Sequence, residues 1–208
     1  MISPEKYDRG PDSEAVPYTC PEVTQGSYYY GPTRISLIDT ARQRVINTVK
    51  VSGSSKGDSF DIPYRILADY YYLVPGRSPR TEGKPALLSL RDFNGDGVAL
   101  ETAFFEALAC MGLPTTLIGY SPKRDRILQY PVVLRVLEQK QVSGRKIVEA
   151  RVETITWIDY VFSKPPLRPG YWFFTIDYRG RGGSLATYDV HYEAAREQFA
   201  GTLTLTPP

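Results

Sequence analysis

This sequence predicts a mostly β protein, with antiparallel sheets in a sandwich or barrel-like arrangement. Three observations carry that expectation. Short segments of alternating apolar and polar residues recur along most of the chain. Gly- and Pro-containing turns separate them, and Tyr is unusually frequent, at 16 residues. β-Branched and aromatic side chains suit a pleated, half-buried surface, and many short strands between turns characterise sandwiches and barrels. One short helix, at about residues 98–111, is the expected exception.

Residues 1–32 read as an irregular, Pro-rich N-terminal arm. Pro4, Pro11, Pro17, Pro21 and Pro32 interrupt it, with charges and Gly between them. Tyr28, Tyr29 and Tyr30 are its candidate docking point. A single β-rich domain is expected over 33–208. Its first element is a hairpin over Arg34–Val51. Ile35 and Leu37 lie on one arm and Val45, Val49 and Val51 on the other, about the turn-like Asp39–Gln43. This hairpin resembles those of β-propeller blades.

Ser52–Asp58 is a loop, followed by strand-like segments at about 59–67 and 69–74. Pro75–Pro85 is a second polar loop, and Ala86–Leu90 is a strand leading into residues 92–101. The helix over 98–111 rests on Leu100, Phe104, Ala107, Leu108 and Met111, which recur at helical spacing. Gly112 and Pro114 would stop it. Thr116–Tyr120 and Arg126–Tyr130 form a second hairpin across Ser121–Asp125, echoing the first. The remaining strands are Val132–Leu137, Lys146–Phe162, Tyr171–Tyr178, Leu185–Tyr192 and Thr202–Thr206. Gly180–Gly183 is a turn, and Glu193–Phe199 reads as a helical turn.

With 208 residues and 42% hydrophobic side chains, the chain is long and apolar enough for one domain with a real core. The 25 basic and 23 acidic side chains nearly balance, at a net charge of +2. That argues against a dedicated nucleic-acid binder, which needs a clustered basic face. No apolar run approaches the roughly 18 residues of a transmembrane helix. The start, Met1–Lys6, lacks a basic segment followed by an apolar one, so no signal peptide is expected there. Cys20 and Cys110 allow either one disulfide or two buried thiols.

The most specific chemistry lies in Asp92-Phe93-Asn94-Gly95-Asp96-Gly97, with Glu101 behind it. Ca²⁺ takes six to eight oxygen ligands, and alternate oxygen side chains let a tight loop wrap one ion. Asp92, Asn94 and Asp96 stand at positions 1, 3 and 5. Gly97 at position 6 permits the sharp turn, and the Val98 carbonyl is the backbone ligand expected at position 7. Glu101 would close the cage from the far side. A solvated turn whose Asp96 caps a following helix is the simpler alternative.

The run Asp-x-Asn-x-Asp-Gly resembles the loops of the EF-hand family, of dockerins and of FG-GAP-type propeller repeats. A standard EF-hand closes with Glu at position 12, where this chain has Ala103. Its Glu101 at position 10 gives a spacing similar to the short Excalibur variant. That variant carries Cys just before the closing Glu, where this chain has Leu100, and here a strand rather than a helix is expected to precede the loop. The resemblance covers ten residues and implies Ca²⁺ as cofactor, held by Asp92, Asn94, Asp96, Val98 and Glu101.

Other patterns are weaker. Gly53-Ser54-Ser55-Lys56-Gly57 matches G-x-S-x-G, but no helix follows it as a nucleophile elbow requires. His191, the sole histidine, lies in an alternating strand and has no second His or paired Cys to suggest zinc. Gly76–Lys84 has the residue types of a phosphate loop at the wrong spacing. Arg179–Gly183 resembles an RGG segment and is more simply a turn. Asp159, Asp177, Asp189 and Glu193 could supply the carboxylate pair of a glycosidase. Tyr70, Tyr71, Tyr72, Trp157, Tyr171 and Trp172 could stack on sugar rings, although core filling explains them better.

These observations point to a calcium-stabilised binding or interaction protein of the cell envelope, extracellular space or periplasm. It is expected to be non-enzymatic, with carbohydrate or protein as ligand. A carbohydrate-active hydrolase or its accessory module is the alternative.

Overall fold

Long-range strand pairing dominates the chain. Its computed structural model describes residues 8–9, 24–31, 34–53, 60–66, 70–71, 90–105, 113–160 and 166–208. The strands run β1 (Asp8–Arg9), β2 (Thr24–Gly31), β3 (Arg34–Asp39), β4 (Arg44–Lys50), β5 (Phe60–Ile66) and β6 (Tyr70–Tyr71). Then come β7 (Glu101–Phe105), β8 (Leu113–Ser121), β9 (Arg126–Gln129), β10 (Val132–Val142) and β11 (Arg145–Ile155). Last are β12 (Ile158–Tyr160), β13 (Tyr171–Asp177), β14 (Leu185–Glu193) and β15 (Gln198–Thr206). The fold is mostly β, and no α-helix occurs among the described residues.

The largest sheet has the order β11-β10-β15-β14-β13 and is antiparallel except for the parallel pair β10–β15. A second sheet orders β12-β8-β7, with β9 also on β8. β1, β2, β5 and β6 form a third, and β3–β4 is a two-stranded hairpin. Alternation sets which face is buried. In the largest sheet, Val132, Leu134 and Val136 of β10, Trp172, Phe174 and Ile176 of β13, and Tyr188 and Val190 of β14 point inward. They share one core with Phe104, Leu117, Ile118, Ile127 and Ile158 of the second sheet, so the two layers bury their sides together.

Three hairpin turns repeat one solution. Residues 40–43, 122–125 and 194–197 each form a four-residue turn whose last residue has positive φ: Gln43 at 49°, Asp125 at 47° and Glu197 at 51°. In the first two, a side-chain oxygen at the strand end accepts a backbone N–H three residues on: Arg42 to Asp39 at 3.0 Å and Arg124 to Ser121 at 3.2 Å. The expected helical turn at 193–199 is the third of these hairpin turns. The chain reverses there because Glu193 and Gln198 are already paired across β14 and β15.

The helix expected over 98–111 is not formed in its described part. Residues 98–100 are irregular and Glu101–Phe105 is a strand paired with Thr115–Gly119. Leu100 and Phe104 have helical spacing, but Leu100 is exposed and Phe104 is fully buried. Glu101, Thr102, Ala103 and Phe104 are all buried, so no strand alternation is visible in the sequence and pairing with β8 decides. Residues 106–111, with Cys110, lie outside the described residues, as do Cys20 and most of the loops over 54–59 and 72–89. The N-terminal arm is not irregular throughout, because β1 and β2 pair within it. The single strand expected over Lys146–Phe162 is two: the chain breaks at Thr156–Trp157 and passes from β11 in one sheet to β12 in the other.

Side-chain amides bind the β3–β4 hairpin to the second sheet. Asn47 Nδ2 donates to the Ile127 carbonyl at 2.8 Å, and its Oδ1 accepts the Ile127 N–H at 3.0 Å. Gln129 makes the same pair of bonds with Ser52: Nε2 donates to the carbonyl at 2.6 Å and Oε1 accepts the N–H at 3.0 Å. The Ser52 carbonyl also accepts Thr116 Oγ1 at 3.0 Å and Thr156 Oγ1 at 3.1 Å. Each amide acts as a peptide group and continues the pairing where no strand neighbour is in register.

Asn47→Ala should therefore destabilise the protein by about 1–3 kcal/mol, because it leaves both polar groups of Ile127 without this partner. The urea midpoint should fall with an unchanged slope. Ser36→Ala, which removes only the exposed Ser36–Thr48 hydroxyl pair, should stay within roughly 0.5 kcal/mol of the parent.

Candidate metal centre

The loop at 92–97 is fastened at both ends. Arg91 and Glu101 exchange backbone hydrogen bonds at 2.8 and 3.0 Å, forming an isolated bridge at its neck. At its tip it lies against the turn before β13, where the Gly170 N–H donates to the Phe93 carbonyl at 3.0 Å. The contact is close enough to require glycine on both sides. A Cβ at Gly95 would stand 2.7 Å from the Pro169 carbonyl oxygen, and one at Gly170 would stand 2.5 Å from that of Asn94. Both residues also have positive φ, at 80° and 75°. Phe93 is buried against Trp172, with ring centroids 6.2 Å apart. The loop thus joins β7 of one sheet to β13 of the other.

Asp92 organises the backbone: its Oδ1 accepts the Gly95 N–H at 2.6 Å and its Oδ2 the Gly97 N–H at 3.0 Å. Asp96 Oδ1 accepts the Val98 N–H at 2.8 Å. The Val98 carbonyl accepts the Leu100 N–H at 3.0 Å. Glu101, with 0% exposure, turns back under the loop, where its Oε2 accepts the Phe93 N–H at 3.1 Å. The Asn94 Nδ2 lies between two carboxylates, donating to Asp96 Oδ2 and to Glu101 Oε1 at 3.1 Å each.

Of the five predicted ligands, the structure brings Asn94, Asp96 and Glu101 into direct contact. Asp92 and Val98 are held through backbone hydrogen bonds of the same loop. Among the described residues, no three His, Cys, Asp or Glu side chains gather as a metal cage. The donor set nevertheless suits a hard cation, since every side chain offers oxygen. Burial pushes the Glu101 carboxyl up to about 7; the Phe93 N–H works against that rise, and the like charges of Asp96 and Asp92 add to it.

Residues distant in sequence complete the surroundings. A Cβ at Gly119 would collide with the Tyr130 hydroxyl and with Glu101 Cγ, so Gly119 makes room for both. Burial first, then the Glu101 charge, raises the pKa of Tyr130. Its ring meets Tyr192 and Phe199 edge-on, at centroid distances of 5.5 and 5.7 Å. The Tyr192 N–H donates to the Gly170 carbonyl at 2.9 Å, which returns the network to the loop. Arg124 and Glu197 bridge two hairpin turns at 2.8 Å. Local spacing cannot announce Tyr130, Tyr192 or Gly170, because only the fold brings them to the loop.

Of the four candidate glycosidase carboxylates, the three on β13 and β14 do not form a pair. Asp177 lies opposite Leu185 at one end of β14, Asp189 is in its middle and Glu193 is at the other end. Four residues of strand separate successive members, roughly 13 Å, beyond the reach of either glycosidase geometry. Asp177 is bound by Arg179, whose guanidinium holds its carboxyl at about 2. Asp159 is on the buried side, bonded to the Tyr188 hydroxyl at 2.9 Å. Trp172 is core and Tyr171 is half-buried under Arg168, while the side chains of Tyr70, Tyr71 and Tyr72 lie outside the described residues. His191 is exposed, opposite Tyr171. Of G-x-S-x-G, only Gly53 is described. No helix among the described residues is long and apolar enough to cross a membrane.

Asp159 supplies a pH test. Burial raises its pKa, with the Tyr188 hydroxyl acting against the rise. A raised folded pKa favours the protonated fold, so the associated stability is fully present below the unfolded pKa and is lost as pH rises through the folded one. Asp159→Asn keeps an acceptor for Tyr188 and removes the charge. It should melt higher than the parent at pH 7, and the gap should close near pH 3. Thermal melts across that range check it. No family model, curated protein or solved structure matches the chain.

Proposed function

We propose that this is a calcium-stabilised β-rich protein acting in binding or interaction in the extracellular space, the cell envelope or the periplasm, with Ca²⁺ as a structural ion. The observation that carries the reading is the Asn94 amide nitrogen lying between the carboxylates of Asp96 and Glu101. A positive charge at that point would relieve the repulsion between the two acids. The amide supplies only the positive end of a dipole, and beneath it Glu101 is wholly buried. A divalent cation would satisfy both carboxylates, with Asn94 offering its oxygen instead of its nitrogen. Asp92 and the Val98 carbonyl would contribute from the loop, and water would complete the shell. Bound there, the ion neutralises the charges and locks the junction between β7 and β13. Loops of this type in extracellular modules bind Ca²⁺ with dissociation constants of about 0.1–1 mM, which suits the calcium-rich exterior of cells.

A thermal melt in EDTA and in excess Ca²⁺ tests the proposal. Ten to a hundred times the dissociation constant should add about 1.4–2.7 kcal/mol, a rise of roughly 3–10 °C. Asp92→Ala and Glu101→Gln should abolish the rise. An unchanged melting temperature, with no calcium retained in equilibrium dialysis, would mean that the loop closes through its own hydrogen bonds, and the extracellular assignment would fall with it.

A further inference from the structure

β11 is an edge strand that presents both of its faces to solvent. Its residues are exposed from Arg145 through Val152, with Val148 at 54% and Val152 at 72%. Among the described residues it pairs only with β10. The β10–β11 hairpin also outruns its sheet, because β15 accompanies β10 only over Val132–Glu138 while the hairpin pairing continues to Val142 and Arg145. A long, exposed edge is a template for another strand. On one face, charges alternate: Glu149, Arg151 and Glu153, bonded among themselves and to Glu138 and Lys140 at 2.6–3.5 Å. On the other face, Val148, Ala150 and Val152 form an apolar strip.

We infer that β11 is the pairing edge of a homodimer, in which two copies join antiparallel about a two-fold axis beside Ala150 and make one ten-stranded sheet. The occupant follows from the strand's own symmetry. Ala150 is the midpoint of Arg145–Ile155, so this register uses the whole strand. It places Glu149 opposite the partner's Arg151, and Arg151 opposite the partner's Glu149, on one face. On the other face it places Val148 opposite the partner's Val152. Moving the axis by one residue either way sets Glu149 against the partner's Glu149, or Arg151 against the partner's Arg151, and like charges directly opposed are unfavourable. The register of greatest overlap is therefore also charge-matched at 149 and 151, and the contact is isologous and closed, with the β11 edges of both copies consumed.

Light scattering coupled to size-exclusion chromatography, over micromolar to submillimolar protein, tests the inference. The parent should approach twice the monomer mass as concentration rises. Glu149→Arg and Arg151→Glu should each remain monomeric, since each opposes like charges in the pair. An equimolar mixture of the two variants should regain the doubled mass, because both 149–151 pairs across the axis are then opposite in sign. Both positions are exposed and their ion pairs are of the weak surface kind, so melting curves should confirm that the variants fold. Val152→Lys should also be monomeric. A parent that is monomeric throughout would overturn the inference. So would single variants that dimerise like the parent, or a mixture that stays monomeric.

Discussion

Burying the Glu101 carboxylate is the constraint on which the junction of the two layers depends. A charge removed from water needs compensation close by. Here the compensation is built from the chain that folds over it: a backbone N–H from Phe93, the Asn94 amide, and the space left by Gly119. Phe93 and Asn94 belong to the loop and Gly119 to β8, and together they satisfy Glu101 in the loop conformation seen. In that conformation the loop's tip meets Gly170 and Phe93 meets Trp172. The geometry of β13 relative to β7 thus follows from where one carboxylate can be tolerated.

Amide side chains act as structural joints in three places. Asn47 and Gln129 each reproduce a peptide group and extend pairing between segments whose backbones are not in ladder register. Asn94 does something different, since its nitrogen bridges two acids. All three have donor and acceptor matched, the Asn94 Oδ1 accepting the Asp96 N–H at 2.8 Å. The third joins two groups that repel each other. That difference in electrostatic balance, rather than residue type, separates the architectural amides from the one at the candidate metal centre.

Local features were legible in the sequence and distant pairings were not. The hairpins at 34–50 and 113–129 could be read because their turns and alternating arms are contiguous. The candidate loop was legible for the same reason: Asp92, Asn94, Asp96 and Glu101 lie within ten residues. The strand at 101–105 has the local pattern of a helix. Phe104 follows Leu100 at helical spacing, and burial on both faces erases alternation from Glu101 to Phe104. What decides there is the pairing with 115–119, which no local window contains. The crossing at Thr156–Trp157 was likewise invisible, since no Gly or Pro marks it and the change of partner lies outside any local window. Tyr130, Tyr192 and Gly170 carry no signature at all, because their position at the loop is a product of the completed fold.

The parallel contact of β10 with β15 has a consequence for the order in which the chain can assemble. β15 is the last strand in sequence yet the central one of its sheet. β10–β11 and β13–β14 are hairpins that can close early, over short loops, but neither touches the other. Until β15 bridges them, no backbone pairing holds Val136 and Tyr188 in one sheet. During vectorial synthesis this sheet accumulates as two halves awaiting a keystone. Its cooperativity rests on an event that joins positions more than sixty residues apart, the kind of non-local closure that makes β topologies slow to fold and exposed to misassembly while they wait.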